Sequence, residues 1–163
     1  MKKFICLLIF FISFNINSQD TYLQCGKIID TERGKVLNKK TIIVSSDKIV
    51  AIKNGFVSSD NPLDKVIDLK SKTVMPGLID MHVHIESEFN PQKYMNAFTA
   101  NDADIAFGSL KFAEITLMAG FTTVRDLGGS GINISLRDAI AKGEVVGPRI
   151  FTAGKAIGTT GGH

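Results

Sequence analysis

The sequence predicts a mixed α/β protein, in which a short all-β region precedes a region where β runs alternate with helical segments. Between residues 22 and 76, short β-type runs are separated by turn residues. After residues 76 and 77, a Pro-Gly pair, three β runs alternate with two helical patterns, an order that is typical of a parallel sheet. The composition, with 44% hydrophobic and 21% charged residues, is that of a globular protein.

The first 18 residues have the pattern of a secretory signal peptide. Lys2 and Lys3 precede an apolar run from Phe4 to Phe14, which is shorter than the roughly 20 residues of a membrane-spanning helix. We expect cleavage after Ser18 and an exported protein, periplasmic or secreted, without a stable membrane anchor. Loss of the two lysines lowers the formal charge from +3 to +1, and the remaining basic residues are scattered, so no nucleic-acid partner is predicted.

Residues 19–75 are predicted to form an N-terminal β region. Its β-type runs cover residues 23–29, 41–44, 48–52, 66–69 and 73–75. Residues 45–47 supply a hairpin turn between the second and third runs. Cys25 has no disulfide partner once Cys6 has left with the signal peptide, so we expect it to pack as a small apolar residue.

Residues 76–163 are predicted to alternate strands with helices. The strands cover residues 78–84, 122–126 and 149–153, and the helices cover residues 102–119 and 134–142. Gly120 and Gly143 suit the ends of the two helices. A closed barrel of eight strands takes roughly 250 residues, whereas this region has 88. We therefore interpret it as the first three strands of an incomplete (β/α)8 barrel, and the sequence as an N-terminal fragment.

The candidate site begins with His82 and His84, near the end of the first strand of this region. Alternate residues of a strand share a face, so both imidazoles can converge on one metal ion. Asp80 is expected on that face, one layer deeper, where it could orient a ligand. The alternative is a pair of strand histidines whose polar atoms are satisfied by the protein. A catalytic zinc ion usually has three protein ligands, so other strands would have to contribute.

His163 and Arg125 are further candidates on the same rim. Loops that follow the strands of a β/α barrel form its active-site face. His163 could be a ligand, an oxyanion stabiliser or a substrate contact, or an exposed loop residue without a role. Arg125 could recognise a substrate carboxylate, but an ion pair with Asp126 is the favoured interpretation.

A glycine-rich segment and two carboxylates are further candidates for the site. The glycines at 128, 129 and 131 precede a helix and could cradle a phosphate, but they lack the spacing of phosphate-binding loops. Glu86 and Glu88 follow the histidine pair and could be ligands or acid/base groups. Since loop carboxylates are usually solvated, we expect them to be exposed to water.

The segment from Met75 to His84 resembles the first-strand signature of the amidohydrolase superfamily of metal-dependent hydrolases. It combines Pro-Gly-Leu-Ile-Asp with a His-x-His pair. Residues 119–129 and 147–163 resemble the second- and third-strand regions of one branch, the imidazolonepropionase-related proteins and the Xaa-Pro or Xaa-Arg dipeptidases. The resemblance implies that residues 19–75 are part of a small β-sandwich and that residues 76–163 begin a TIM barrel.

By this resemblance, His82 and His84 would bind one or two divalent ions, usually zinc. The metal would polarise a scissile carbonyl and activate water to hydrolyse a C–N bond in a small molecule or dipeptide. The family's bridging lysine, later histidines and catalytic aspartate are expected beyond residue 163. Lys155 is not assigned as the bridging lysine, because it lies one strand too early. We therefore expect the 163-residue polypeptide alone to be inactive. A ring-amidine deaminase and a non-catalytic exported binding protein are the alternatives.

Overall fold

The computed structural model describes residues 19–89 and 91–159. The predicted signal peptide and the candidate His163 lie outside these residues. Among the described residues, no helix combines the length and hydrophobicity that a membrane crossing requires. The chain divides between Pro76 and Gly77 into two compact units. The architecture is mixed α/β, in agreement with the predicted class.

The first unit contains one four-stranded sheet. Its strands are β1 (Asp20–Asp30), β2 (Lys35–Ser45), β3 (Lys48–Asn54) and β4 (Lys65–Val74). Their order is β3-β2-β1-β4, in which β1 pairs antiparallel with β2 and parallel with β4. Cys25 is fully buried in a cluster with Ile28 and Ile42, which confirms its predicted packing. This burial raises the pKa of the Cys25 thiol.

The predicted fourth and fifth strands, residues 66–69 and 73–75, are wrong as separate elements. They form the single strand β4, which contains a bulge where the register against β1 shifts across Gly26. A Cβ atom on Gly26 would collide with the carbonyl oxygen of Lys70. Because Gly26 has no side chain, the bulged backbone of β4 can approach β1. The polar residues of the bulge resemble a turn in sequence, which explains why two strands were predicted.

The second unit contains a parallel three-stranded sheet and three helices. The strands β5 (Leu78–Val83), β6 (Phe121–Asp126) and β7 (Arg149–Thr152) lie in that order. The helices are α1 (Lys93–Thr99), α2 (Asp102–Met118) and α3 (Ile132–Ala141). All except the short α1 were predicted. The buried cluster that joins sheet and helices consists of Ile85, Ala113, Val124, Leu136 and Ile150.

Helix α2 begins at a complete capping box. The Asn101 side chain accepts the backbone N–H groups of Ala103 and Asp104, and Asp104 accepts the N–H of Asn101. Gly120 and Gly143, which follow α2 and α3, have φ angles of +98° and +76°. Both glycines therefore stop their helices in the left-handed conformation, as predicted.

Candidate functional site

His82 and His84 lie together at the carboxyl end of β5. Their ring centroids are 5.5 Å apart, with an angle of 69° between the ring planes. Two imidazoles that bind one tetrahedral ion at about 2.0–2.1 Å would have centroids about 5 Å apart. Both side chains are exposed. The two rings are therefore close in space, and their spacing fits a shared metal ion, whereas the convergence of their nitrogens on one ion stays a prediction.

A hydrogen bond fixes the proton on the His84 ring. The Nδ1 atom lies 2.9 Å from the carbonyl oxygen of Gly128. Because a carbonyl oxygen only accepts, Nδ1 donates, and Nε2 of the neutral ring keeps its lone pair. Histidines that bind metals commonly donate their second ring N–H in this way. The donor chemistry of His84 thus fits a ligand of a metal site.

The pair supplies part of a ligand set. Within residues 19–89 and 91–159, no group of three or more His, Cys, Asp or Glu side chains could hold a metal ion. Since a catalytic zinc ion usually has three protein ligands, the contribution of further strands stays a prediction.

Asp80 contacts the backbone of the histidine pair. Its Oδ1 accepts the backbone N–H of His82 at 2.9 Å. The pairing of β5 with β6 is irregular between Asp80 and Val83, so simple alternation of faces does not extend from Asp80 to the two histidines. The carboxylate therefore stabilises the backbone at the first histidine, and its predicted role in orienting an imidazole stays a prediction.

The predicted ion pair between Arg125 and Asp126 is wrong. Neighbouring residues of β6 point to opposite faces of the sheet, and Asp126 is fully buried whereas Arg125 is exposed. The Arg125 Nε donates instead to the carbonyl oxygen of Met81 at 2.8 Å. Arg125 therefore bridges β6 and β5, and its predicted contact with substrate stays a prediction.

Asp126, for which the sequence favoured an ion pair over a place in the site, is a buried hydrogen-bond acceptor. Its Oδ1 accepts from the Gly128 N–H at 2.8 Å and from the Asn133 Nδ2 at 3.2 Å. Its Oδ2 accepts from the Ile85 N–H at 3.0 Å. The Asn133 Nδ2 also donates to the Gly154 carbonyl oxygen at 3.0 Å. The buried Asp126 and Asn133 therefore connect the chain segments that follow all three strands.

The expectation that Glu86 is solvated is also wrong. Its two carboxylate oxygens accept the backbone N–H groups of Ser130 at 2.6 Å and Asn133 at 2.7 Å. These donors belong to the glycine loop and to the first turn of α3, where a negative charge is favourable. Glu86 therefore occupies the position at which a phosphate was considered. Glu88, in contrast, is exposed.

We expect Glu86→Ala to loosen the first turn of α3. Hydrogen bonds to charged groups contribute roughly 1.5–3 kcal/mol each, so a local loss of about 2 kcal/mol should accelerate amide hydrogen exchange at Ser130 and Asn133 about 30-fold. Glu86→Gln should cause a smaller change. The exposed Glu144 offers a control, because Glu144→Ala should leave both amides unchanged. Equal exchange rates in all variants would contradict the capping role.

A cavity of about 480 Å³ lies beside the histidine pair. Its walls come from the segments after β5, β6 and β7, and include His84, Glu86, Asp126, Gly128 and Ile157. The carboxyl ends of parallel strands are where α/β proteins commonly bind ligands. The second unit thus combines a parallel sheet, an exposed imidazole pair and an adjacent cavity at one edge.

Comparison with known proteins identifies the family. Residues 73–161, more than half of the chain, match the model of the Amidohydrolase family. The chain therefore belongs to the amidohydrolase family, as the resemblance of its first-strand segment predicted.

Individual relatives match different shares of the chain. A solved Xaa-Pro dipeptidase with methionine bound in its active site has a TM-score of 0.80 and 43% identity, over 89% of this chain and 36% of that chain. A prolidase complexed with N-methylphosphonate-L-proline has a TM-score of 0.75 and 41% identity, over 89% and 34% of the two chains. A 5-methylthioadenosine/S-adenosylhomocysteine deaminase of Bacillus cereus is 38% identical over 40% of this chain and 15% of its own.

Proposed function

We propose that the chain is the N-terminal part of an exported, metal-dependent amidohydrolase that hydrolyses the C–N bond of a small amide or dipeptide. The observation that carries this proposal is the imidazole pair, 5.5 Å apart, with the His84 Nδ1–H donated to the Gly128 carbonyl. Membership of the amidohydrolase family supports the class of reaction. The chain spans about a third of the solved relatives, so the activity is proposed for the longer protein.

The described residues would bind and orient the metal. His82 and His84 would hold it through ring nitrogens, and the Gly128 carbonyl would keep the His84 ring in the required tautomer. A divalent ion, zinc in our proposal, supplies Lewis-acid polarisation of a carbonyl and activation of water. We propose that Arg125, whose side chain is exposed, binds a substrate carboxylate. Asp80 and His163 remain candidates for contacts with ligands or substrate.

We further propose that the two units begin a β-sandwich and a TIM barrel. Three parallel strands leave two unpaired edges, which stable parallel sheets avoid. Apolar side chains of the second unit support this proposal, because Ile79, Met81 and Phe151 are 61%, 55% and 58% exposed. In the first unit, Ile49 and Ile52 are 63% and 50% exposed. Further strands and helices would cover these side chains.

A deaminase is the second candidate function. The Bacillus cereus relative, which is named a deaminase, supports it over 65 residues. The likeness to the Xaa-Pro dipeptidase extends over 89% of this chain at 43% identity. We favour the hydrolysis of a dipeptide or related amide for this reason.

A substrate panel tests the proposed function. The full-length protein should release free amino acid from at least one Xaa-Pro dipeptide, should lose this activity on chelation, and should recover it with Zn²⁺. Residues 19–163 alone should give no turnover. Ammonia release from 5-methylthioadenosine without peptide hydrolysis would favour the deaminase. Turnover of neither the dipeptides nor 5-methylthioadenosine would favour a binding protein. Hydrolysis that continues in the presence of a chelator would contradict the proposed metal dependence.

A further inference from the structure

We infer that the buried carboxylate of Asp126 is a positioning residue of the metal site, which fixes the His84 ring through the Gly128 backbone. The inference rests on the proposed function, because it assigns a role relative to the proposed metal. The hydrogen bonds of the Asp126 side chain in the described part of the chain go to Ile85, Gly128 and Asn133 and not to an imidazole. Asp126 acts through the peptide groups on either side of the hydrogen bond between His84 and Gly128.

The contacts form a closed ring. One carboxylate oxygen of Asp126 accepts the Gly128 N–H, and the Gly128 carbonyl accepts the His84 Nδ1–H. The other carboxylate oxygen accepts the N–H of Ile85, the residue that follows His84. A single buried side chain therefore holds the backbone of the histidine and the backbone of its hydrogen-bond acceptor. The hydrogen bonds of Asp126 to the backbone therefore set the distance between the His84 ring and the Gly128 carbonyl.

A carboxylate suits this role better than an amide. Among the described residues, the Asp126 carboxylate accepts hydrogen bonds from the N–H donors of Ile85, Gly128 and Asn133. Both carboxylate oxygens accept, whereas an asparagine would direct an NH₂ group at one of these donors. Since the Asp126 side chain is fully buried, water cannot readily replace a lost acceptor. Asparagine would therefore displace either Gly128 or Ile85.

Displacement of either residue would change the His84 ring. Without the Gly128 carbonyl at hydrogen-bond distance, the neutral imidazole can carry its proton on Nε2 instead of Nδ1. An Nε2–H ring has no lone pair to offer a metal at that atom. Loss of partners that orient metal-binding histidines typically weakens metal affinity roughly 10- to 100-fold. We expect the lower end of this range, because Asp126 acts through a peptide group.

The test compares Asp126→Asn with Val124→Ala in the full-length protein. Val124 lies two residues earlier in β6, is also fully buried, and packs in the apolar cluster instead of the hydrogen-bonded ring. Zinc affinity is measured by competition with a chromophoric chelator. The His84 tautomer is measured from imidazole ¹⁵N shifts of the metal-free protein at mildly alkaline pH. Asp126→Asn should bind zinc about 10-fold more weakly and should lose the pure Nδ1–H signal, and Val124→Ala should change neither.

Three results would overturn the inference. These are unchanged zinc affinity and tautomer in Asp126→Asn, equal loss of affinity in both variants, and an Nε2–H signal for His84 in the unsubstituted protein. The tautomer of His84 in the unsubstituted protein can be measured without any variant. If Asp126→Asn does not fold, Asp126→Ser takes its place in the comparison. Unchanged zinc content in the His84→Ala variant would refute the proposed metal site itself. Zinc loss in His84→Ala with normal Asp126→Asn refutes only the role of Asp126.

Discussion

Alanine at both His82 and His84 of the full-length protein should remove bound zinc and abolish hydrolysis. A catalytic metal contributes several kcal/mol of transition-state stabilisation, and each 1.36 kcal/mol corresponds to a tenfold change in rate. We therefore expect activity to fall at least about 1,000-fold. The two rings lie side by side at the carboxyl end of β5, so the single variants should also lose most of the metal. Metal analysis of the purified variants and steady-state kinetics would measure both effects.

Met81→Ala provides the matched control for the histidine variants. Met81 lies in the same strand and is 55% exposed in this structure. Its side chain carries no metal-binding nitrogen, and the proposed barrel would cover it. This variant should therefore lower the free energy of unfolding of the full-length protein, and the folded variant should retain zinc and activity. Unchanged zinc content and activity in the double alanine variant would refute the proposed metal site. Equal losses in Met81→Ala and the histidine variants would indicate damage to β5 instead of ligand loss.

Gly128→Ala should disrupt both the loop and the metal site. Gly128 has a φ of +145°, a conformation that residues with a side chain rarely adopt. A Cβ atom there would lie 2.5 Å from the Cα atom of Ala156, so one of the two backbones must move. We expect a loss of about 2–4 kcal/mol in the free energy of unfolding. Because the Gly128 carbonyl holds the His84 ring, zinc binding should weaken as well.

Gly108→Ala is the control for this prediction. Gly108 lies within α2, and a Cβ atom there meets nothing within 4 Å. Alanine should therefore stabilise the helix by up to about 1 kcal/mol and leave zinc binding unchanged. Denaturant unfolding and zinc titration of the two glycine variants would measure the contrast. A Gly128→Ala protein as stable as the unsubstituted one, with normal zinc affinity, would contradict the predicted clash.

Local patterns predicted most of the secondary structure. Alternation of β runs with helical segments gave the order of β5, α2, β6, α3 and β7, because amphipathic spacing and glycine stops are written in neighbouring residues. The continuity of β4 was missed because a bulge opposite Gly26 looks like a turn in sequence. Helix α1 was missed because it has only seven residues.

The site was predicted in part for the same reason. Alternation along one strand predicted that the rings of His82 and His84 lie close together. Their centroids are 5.5 Å apart, although the pairing of β5 is irregular up to Val83 and the strand ends before His84. The roles of Asp126 and Glu86 depend on partners up to 47 residues away, which no local pattern reveals. One signal was available, since an aspartate two residues before a glycine at a strand end is suited to accept that glycine's N–H. The alternation rule also predicts that Arg125 and Asp126 diverge, and it should have excluded their ion pair.

The contacts of Glu86 and Asp126 have a practical consequence for redesign. Residues 84–86, 126–133 and 154 exchange hydrogen bonds as one set. Transplanting any one of these segments from a relative would leave donors or acceptors of the other two unmatched in the protein interior. Loop grafting aimed at new substrates should therefore transfer the three segments together as a single cassette.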